Sequence, residues 1–123
     1  MSQKKQHSIR FRPGDVVLVK FPFSDLESTK KRPALCLASC KLTDKFQILT
    51  VAMITSQIES FALEGDYLLG DWKNAGLLHS SLIRLAKVAS LDLALVEKKI
   101  GTISSEDLDK IRVSFKRVFK YWI

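Results

Sequence analysis

The apolar run at residues 15–21 is the feature that most constrains the fold of this chain. It follows the turn pair Pro13-Gly14 and contains Val16, Val17 and Val19 among nearly continuous apolar positions. β-Branched residues favour strands, and an apolar run without polar alternation is typical of a strand that is buried on both faces. The run therefore predicts a strand covered on both sides of its sheet.

Further strand-like runs follow, separated by polar segments. A polar stretch at residues 24–31 predicts a loop. Pro33 is then predicted to open the second strand, because its missing N–H is tolerated at a strand's first position. Residues 58–69 predict one or two short edge strands with a turn at Gly65-Asp66. The longer predicted strands cover residues 15–21, 33–39, 46–54, 81–88 and 96–103.

The last segment of the chain predicts a helix. Ser104 and Asp107 match a capping box in which Asp replaces the usual Glu. Apolar residues then repeat at helical spacing and form one stripe: Leu108, Ile111, Phe115, Val118, Phe119 and Trp122. Several short strands followed by one amphipathic helix predict an α+β, mainly β fold, in which a small antiparallel sheet or partial barrel packs against the helix.

Composition limits the class of protein. A chain of 123 residues with 46% hydrophobic content is typical of one folded domain. No uninterrupted apolar run approaches the roughly 20 residues that span a bilayer. The polar, basic start does not resemble a secretory signal, so we expect a cytoplasmic protein with no membrane partner.

The net charge of +7 suggests a polyanionic partner, but four of these charges, including Lys4 and Lys5, lie in residues 1–12. We interpret residues 1–12 as a basic, flexible leader and residues 13–123 as a single domain. The leader is either a solubilising arm or a source of salt-dependent attraction to phosphate.

The cysteines and histidines do not predict a metal site. Cys36 and Cys40 are separated by three residues, and no second Cys/His pair completes a set of four ligands. Cys36 lies inside an apolar run and is expected to be a small buried side chain. His7 and His79 stand alone in the sequence.

Two short runs carry the candidate chemistry. Residues 31–35 (Lys-Arg-Pro-Ala-Leu) and residues 53–57 (Met-Ile-Thr-Ser-Gln) each lie at the border between a predicted strand and a loop. The first supplies Arg32, and the second supplies the hydroxyl pair Thr55 and Ser56. A planar, permanently charged donor beside hydroxyl groups can grip and cleave a phosphodiester without a metal ion.

Each of these residues also has a simpler interpretation. Arg32 is alternatively a surface residue before a proline, and Thr55 alternatively caps a loop N–H. Ser56 and Gln57 are alternatively ordinary turn residues, although Gln57 could read a base edge. Arg84 either faces water on the sheet surface or points into a binding groove.

Six ordered motifs together resemble the MazF/PemK toxin family, whose members are ribosome-independent, sequence-specific endoribonucleases of toxin–antitoxin modules. The similarity runs from about Arg12 to the end of the chain. The motifs lie at residues 14–17, 31–35, 53–56, 81–85, 88–92 and 100–104. The resemblance implies an SH3-like barrel of antiparallel strands with a C-terminal amphipathic helix.

The resemblance also implies an activity and its partners. The expected reaction is cofactor-free, metal-independent cleavage of single-stranded RNA, in which the substrate's 2′-OH attacks the phosphate and leaves a cyclic phosphate. The expected partners are mRNA, a cognate antitoxin and a second copy of the chain. By matching positions, the resemblance implies that the catalytic residues are Arg32, Thr55 and Arg84. It implies that the substrate-binding residues are Ser56, Gln57, Lys31 and Lys30.

Two departures from the family pattern keep alternatives open. Ala86 stands where some relatives have an acidic residue, and Lys87 replaces a common glutamine. The loop at residues 24–31 also lacks the histidine that some relatives carry. A non-catalytic RNA-binding module of SH3-like fold, or a gyrase-poisoning toxin of the same barrel type, is therefore the alternative function.

Overall fold

The computed structural model describes residues 11–20, 30–59 and 63–123. Most of the predicted leader and of the predicted loop at residues 24–31 lies outside these ranges, so the division into leader and domain stays a prediction. A 3-10 turn at Leu93–Leu95 joins the last two strands. The described elements are β1 (Asp15–Lys20), β2 (Lys31–Thr43), β3 (Phe46–Thr55), β4 (Asp66–Leu68), β5 (Leu82–Asp92), β6 (Val96–Thr102) and α1 (Ser105–Val118).

The strands form one antiparallel sheet in the order β4-β5-β3-β2-β1-β6. Within the described residues the sheet is open, with β4 and β6 as its edges. The mainly β class, the antiparallel pairing and the C-terminal helix are confirmed. No helix in the described ranges is long and apolar enough to cross a membrane.

Both faces of the sheet are buried, as the first apolar run predicted. Val16 belongs to a core cluster that Leu108, Phe115 and Val118 of α1 cover. Val17 belongs to a second cluster, which also contains the fully buried Cys36. Burial, followed by the charge of Asp15 nearby, raises the pKa of the Cys36 thiol to about 11. This cysteine is therefore a packing residue, as expected.

The N-terminus of α1 is tied to the segment that follows β4. The Ser104 hydroxyl accepts the N–H of Asp107 at 3.1 Å, which confirms the predicted cap. The Asp107 carboxylate does not complete the usual box. It accepts hydrogen bonds from the Tyr67 hydroxyl, from the N–H groups of Gly70 and Asp71, and from the Ser104 hydroxyl. A buried carboxylate thus joins helix, strand and loop.

The prediction that the helix extends to Trp122 is wrong. The helix ends at Val118, and Trp122 lies beyond it with 87% of its surface exposed. Helical spacing alone continues through Trp122, but the turn that begins at Phe119 takes the chain away from the core.

Candidate functional site

A groove of about 1200 Å³ opens where the ends of β2 and β3 meet β5 and β6. Residues 31–33 and 53–57 form one part of its wall, and Arg84 with residues 86–89 forms another. Lys98 and Ile100 contribute from β6. The segment after Ala75 completes the wall with residues 76–79 and Ser81. Leu18 adds a contact from β1, so five strands and the segments that follow β3 and Ala75 supply this site.

Pro33 explains why the groove lies here. β2 begins at Lys31, two residues earlier than predicted, so Pro33 is inside a strand rather than at its start. The Cys36 carbonyl accepts the N–H of Gly14, on the β1 side. Since backbone groups alternate in direction along a strand, the missing N–H of Pro33 would face β3. The β2–β3 pairing accordingly ends at Ala34 and Met53, and the strand ends beyond it line the groove.

Arg32 lies on this end of β2, which pairs with β1 but not with β3, and it is half-buried. Within the described ranges, no carboxylate forms an ion pair with its guanidinium, whereas the neighbouring Lys31 ammonium lies 3.3 Å from Glu97. A guanidinium without a carboxylate partner keeps its donor fork available for a phosphate.

Thr55 lies opposite on the end of β3. Its hydroxyl oxygen accepts the N–H of Gln57 at 3.0 Å, so the simpler interpretation of Thr55 as a loop cap is correct. The cap uses an acceptor lone pair and leaves the hydroxyl hydrogen to donate elsewhere. Thr55 can therefore cap the loop and donate its hydroxyl hydrogen to a phosphate at the same time.

Arg84 lines the groove, and its guanidinium also contacts a carboxylate of the neighbouring strand β4. Its register partners are Met53 on β3 and Asp66 on β4. Its Nη2 atom lies 3.5 Å from Oδ2 of Asp66, and the two side chains are only 12% and 5% exposed. The same carboxylate oxygen accepts the N–H of Leu63 at 2.9 Å. Arg84 is therefore a fixed and partly neutralised cation in the groove wall.

A bulge in β5 brings Ala86 and Lys87, where the chain departs from the family pattern, into the groove. β5 runs to Asp92, beyond its predicted end at residue 88. Met53 pairs with Arg84, but the adjacent Ala52 pairs with Val88, so three residues of β5 have no counterpart on β3. Two of these three, Ala86 and Lys87, line the groove. Bulges of this kind re-aim side chains beside functional sites.

The described lining of the groove is strongly cationic. It contains no carboxylate, and its charged side chains are Lys31, Arg32, Arg84, Lys87 and Lys98. Of the described residues, no group of three or more His, Cys, Asp or Glu side chains is placed to hold a metal ion. A groove of this charge attracts a polyanion.

Residues 76–79, in the loop before β5, were not predicted to line the site. Gly76 has a φ of +87°, and a Cβ at this position would lie 2.0 Å from the carbonyl oxygen of Ile100. A Cβ on Gly101 would lie 2.2 Å from the carbonyl oxygen of Ala75. Only glycine at both positions allows this approach of loop to β6. The contact carries Leu78 and His79 to the groove, and no local pattern in the sequence indicates it.

A protein-family model matches most of this chain. Residues 12–119 match the PemK-like, MazF-like toxin of type II toxin–antitoxin systems. The chain belongs to the PemK/MazF toxin family. A search of curated proteins finds no match.

Several solved structures share the fold of this PemK/MazF chain at low sequence identity. The Mycobacterium tuberculosis toxin MazF-mt6 is 20% identical with a TM-score of 0.65, and the match covers 89% of this chain and 97% of the toxin. A mycobacterial endoribonuclease in complex with its cognate antitoxin is 9% identical with a TM-score of 0.68, covering 90% and 96%. MazF from Deinococcus radiodurans is 16% identical with a TM-score of 0.63, covering 92% and 99%.

Most of the residues predicted for a PemK/MazF site lie in this groove. Arg32, Thr55 and Arg84 line it together with the exposed Ser56 and Gln57. Lys31 lines it as well. Lys30 is exposed and lies outside the lining.

Proposed function

We propose that this PemK/MazF protein is a metal-independent, sequence-specific endoribonuclease that cleaves single-stranded RNA. The observation that carries the proposal is the placement of Arg32 and Thr55 on two adjacent strand ends, in a cationic groove. The RNA supplies the nucleophile, its own 2′-OH. The protein then has to orient the phosphate and stabilise its developing charge.

The residues divide this work by chemistry. The Arg32 guanidinium donates two N–H groups to the non-bridging oxygens as their charge grows. The Thr55 hydroxyl donates its hydrogen to the same phosphate. Arg84 adds positive charge from a fixed position. The products are a 2′,3′-cyclic phosphate and a 5′-OH.

Flanking nucleotides would follow the remaining cations. Lys31, Lys87 and Lys98 spread positive charge along the groove, which suits neighbouring phosphates. Ser56 and Gln57 are exposed and offer hydrogen-bonding groups to base edges. Lys30 would contact the RNA outside the groove.

The partners in the proposal follow from the family. One mycobacterial relative is an endoribonuclease in complex with its cognate antitoxin, and one structure from Deinococcus radiodurans is of MazE–MazF. We accordingly place this chain in a toxin–antitoxin module of the cytoplasm, as a homodimer that a cognate antitoxin restrains and that cuts mRNA when released.

The test compares the parent chain with Arg32→Ala on a long single-stranded transcript in excess EDTA. The parent should cut at defined sites, and the variant should be about 100- to 1,000-fold slower, as for loss of one preorganised donor. Arg32→Lys should recover little, because an ammonium lacks the planar fork. A deoxyribose 5′ to the mapped cut should abolish cleavage and preserve binding. A parent chain that leaves RNA intact, or cuts only with added metal, contradicts the proposal.

A non-catalytic RNA-binding module is the second candidate. Ala86 supplies no carboxylate in the groove wall, and the Asp66 carboxylate partly neutralises Arg84, which favours binding over chemistry. Under this alternative the parent chain binds RNA with a steep salt dependence but yields no cyclic phosphate end.

A further inference from the structure

One imidazole lies in the described lining of the groove, that of His79. Its side chain is exposed, but the backbone that carries it is anchored on both sides. The buried Ser81 hydroxyl donates to the His79 carbonyl at 2.8 Å, and the N–H of Leu77 donates to the Trp72 carbonyl at 3.1 Å. The backbone that carries His79 is thus held beside the groove.

The close glycine contact holds this loop against β6. Gly76 and Gly101 let the backbones of loop and strand touch where any Cβ would collide. Ile100, beside that contact, also lines the groove. The position of His79 therefore depends on the same strand that forms the groove wall.

Attack by a 2′-OH needs a group that removes its proton. Carboxylates are the commonest alternative to histidine for this task, but the described lining has none. Arginine does not give up its proton in proteins, and an ordinary lysine stays protonated near neutral pH. Histidine is the residue type that exchanges a proton in this range.

We propose that His79 is the general base that activates the RNA 2′-OH, an assignment that rests on the proposed endoribonuclease function. A neutral imidazole nitrogen takes the 2′-OH proton while the 2′-oxygen bonds to phosphorus and the bond to the 5′-oxygen breaks. The departing oxygen takes a proton from water. The hydroxide left behind then removes the proton from the imidazolium, so that the histidine is restored.

The other charged groups that face the groove would shape the pH dependence. They are cations from each neighbouring element: Lys31 and Arg32 on β2, Arg84 and Lys87 on β5, and Lys98 on β6. Side chains of these types keep their charge through the range in which an imidazole titrates. A break in the pH dependence of the rate in this range therefore reports the general base and not these cations.

The experiment measures single-turnover cleavage of a mapped RNA site between pH 5 and 9. The parent rate should rise with pH and then level off at a break, as general-base catalysis requires. His79→Ala and His79→Gln should be about 100- to 10,000-fold slower and lack that break, and added imidazole should restore part of the His79→Ala rate. The matched control is His7→Gln, which removes the other histidine of the chain. It should behave as the parent.

The outcomes separate the two proposals. If the parent cuts RNA and depends on Arg32, yet both His79 variants keep its rate and pH profile, His79 is not the base and the endoribonuclease stands. Full activity in His79→Gln alone shows that hydrogen bonding suffices, and this also overturns the assignment. If the parent chain cuts no RNA, both the endoribonuclease function and the role of His79 are wrong. Binding of an RNA with deoxyribose at the cut, together with thermal unfolding, should be unchanged in the variants, because the side chain is exposed.

Discussion

The Arg84 guanidinium of β5 lies 3.5 Å from the Asp66 carboxylate of β4, and both side chains are almost buried. The pair joins the edge strand to the rest of the sheet while one partner lines the groove. It therefore links the stability of the sheet edge to the position of a site residue.

Asp66→Asn should destabilise the fold by about 3 kcal/mol, since it removes the carboxylate charge that faces the nearly buried Arg84 guanidinium. Urea unfolding measures the change. The double variant Asp66→Asn/Arg84→Met should recover part of the loss, because the buried positive charge is then removed together with the carboxylate. Equal stability of Asp66→Asn and the parent would show that the ion pair contributes nothing.

Thr55→Val and Thr55→Ser separate shape from hydroxyl chemistry. Valine keeps the volume but loses both the cap on Gln57 and the hydrogen that we assign to the phosphate. We expect the valine variant to lose about 10- to 100-fold in cleavage rate, less than the loss of a full oxyanion donor. Serine should stay within about threefold of the parent, since it restores the hydroxyl. Two equally slow variants would show that the methyl group matters instead.

Asp107 should set the acid stability of the chain. Burial by itself would raise its pKa, but hydrogen bonds from Tyr67, Asp71, Gly70 and Ser104 outweigh burial and lower the pKa below its ordinary range. A lowered pKa gives stability that is complete above about pH 4 and is lost as the pH falls through the folded-state value. The free energy of unfolding should thus drop below about pH 4 in the parent and vary less in Asp107→Asn. Matching pH profiles of the two proteins would contradict this role.

The predicted leader should tune affinity without taking part in cleavage. Deleting residues 2–9 removes Lys4 and Lys5. If both contact phosphates, the slope of log K against log salt should become shallower by about 1.4, while the cleavage sites stay the same. A filter-binding titration and primer extension measure the two quantities. New cleavage sites in the truncated chain would instead mean that the leader reads bases.

The chain should be a homodimer in solution. Unprotected sheet edges invite pairing with a second chain. Apolar surface is also exposed on two inner strands, because Phe46 of β3 and Val88 of β5 leave 39% and 44% of their surfaces exposed. Light scattering at micromolar concentration should give twice the mass of 13.9 kDa. A monomer mass would remove this prediction.

Much of the fold could be predicted because it depends on local periodicity. Continuous apolar runs identified the buried strands, and Ser104 marked the start of α1. The end of the helix at Val118 could not be located in this way, since spacing alone does not show where packing stops. The extension of β5 to Asp92 also went unpredicted, because the bulge at Ala86 and Lys87 depends on the register of β3.

The candidate site was also predicted only in part. Arg32 and Thr55 were predicted together because each follows from a strand end, and those ends lie side by side in the sheet. The burial of Arg84 against Asp66 and the arrival of His79 depend on contacts between segments far apart in the sequence. Such contacts leave no local pattern.

Pro33 also bears on how fast a ligand can enter. With no N–H facing β3, the two strands cannot extend their ladder across the groove by a hydrogen bond from this residue. The groove is thus open between the two strand ends before any ligand arrives, and association does not require the strands to separate first. We expect a single kinetic phase of binding that is linear in RNA concentration, set by encounter and by salt rather than by a slow opening step.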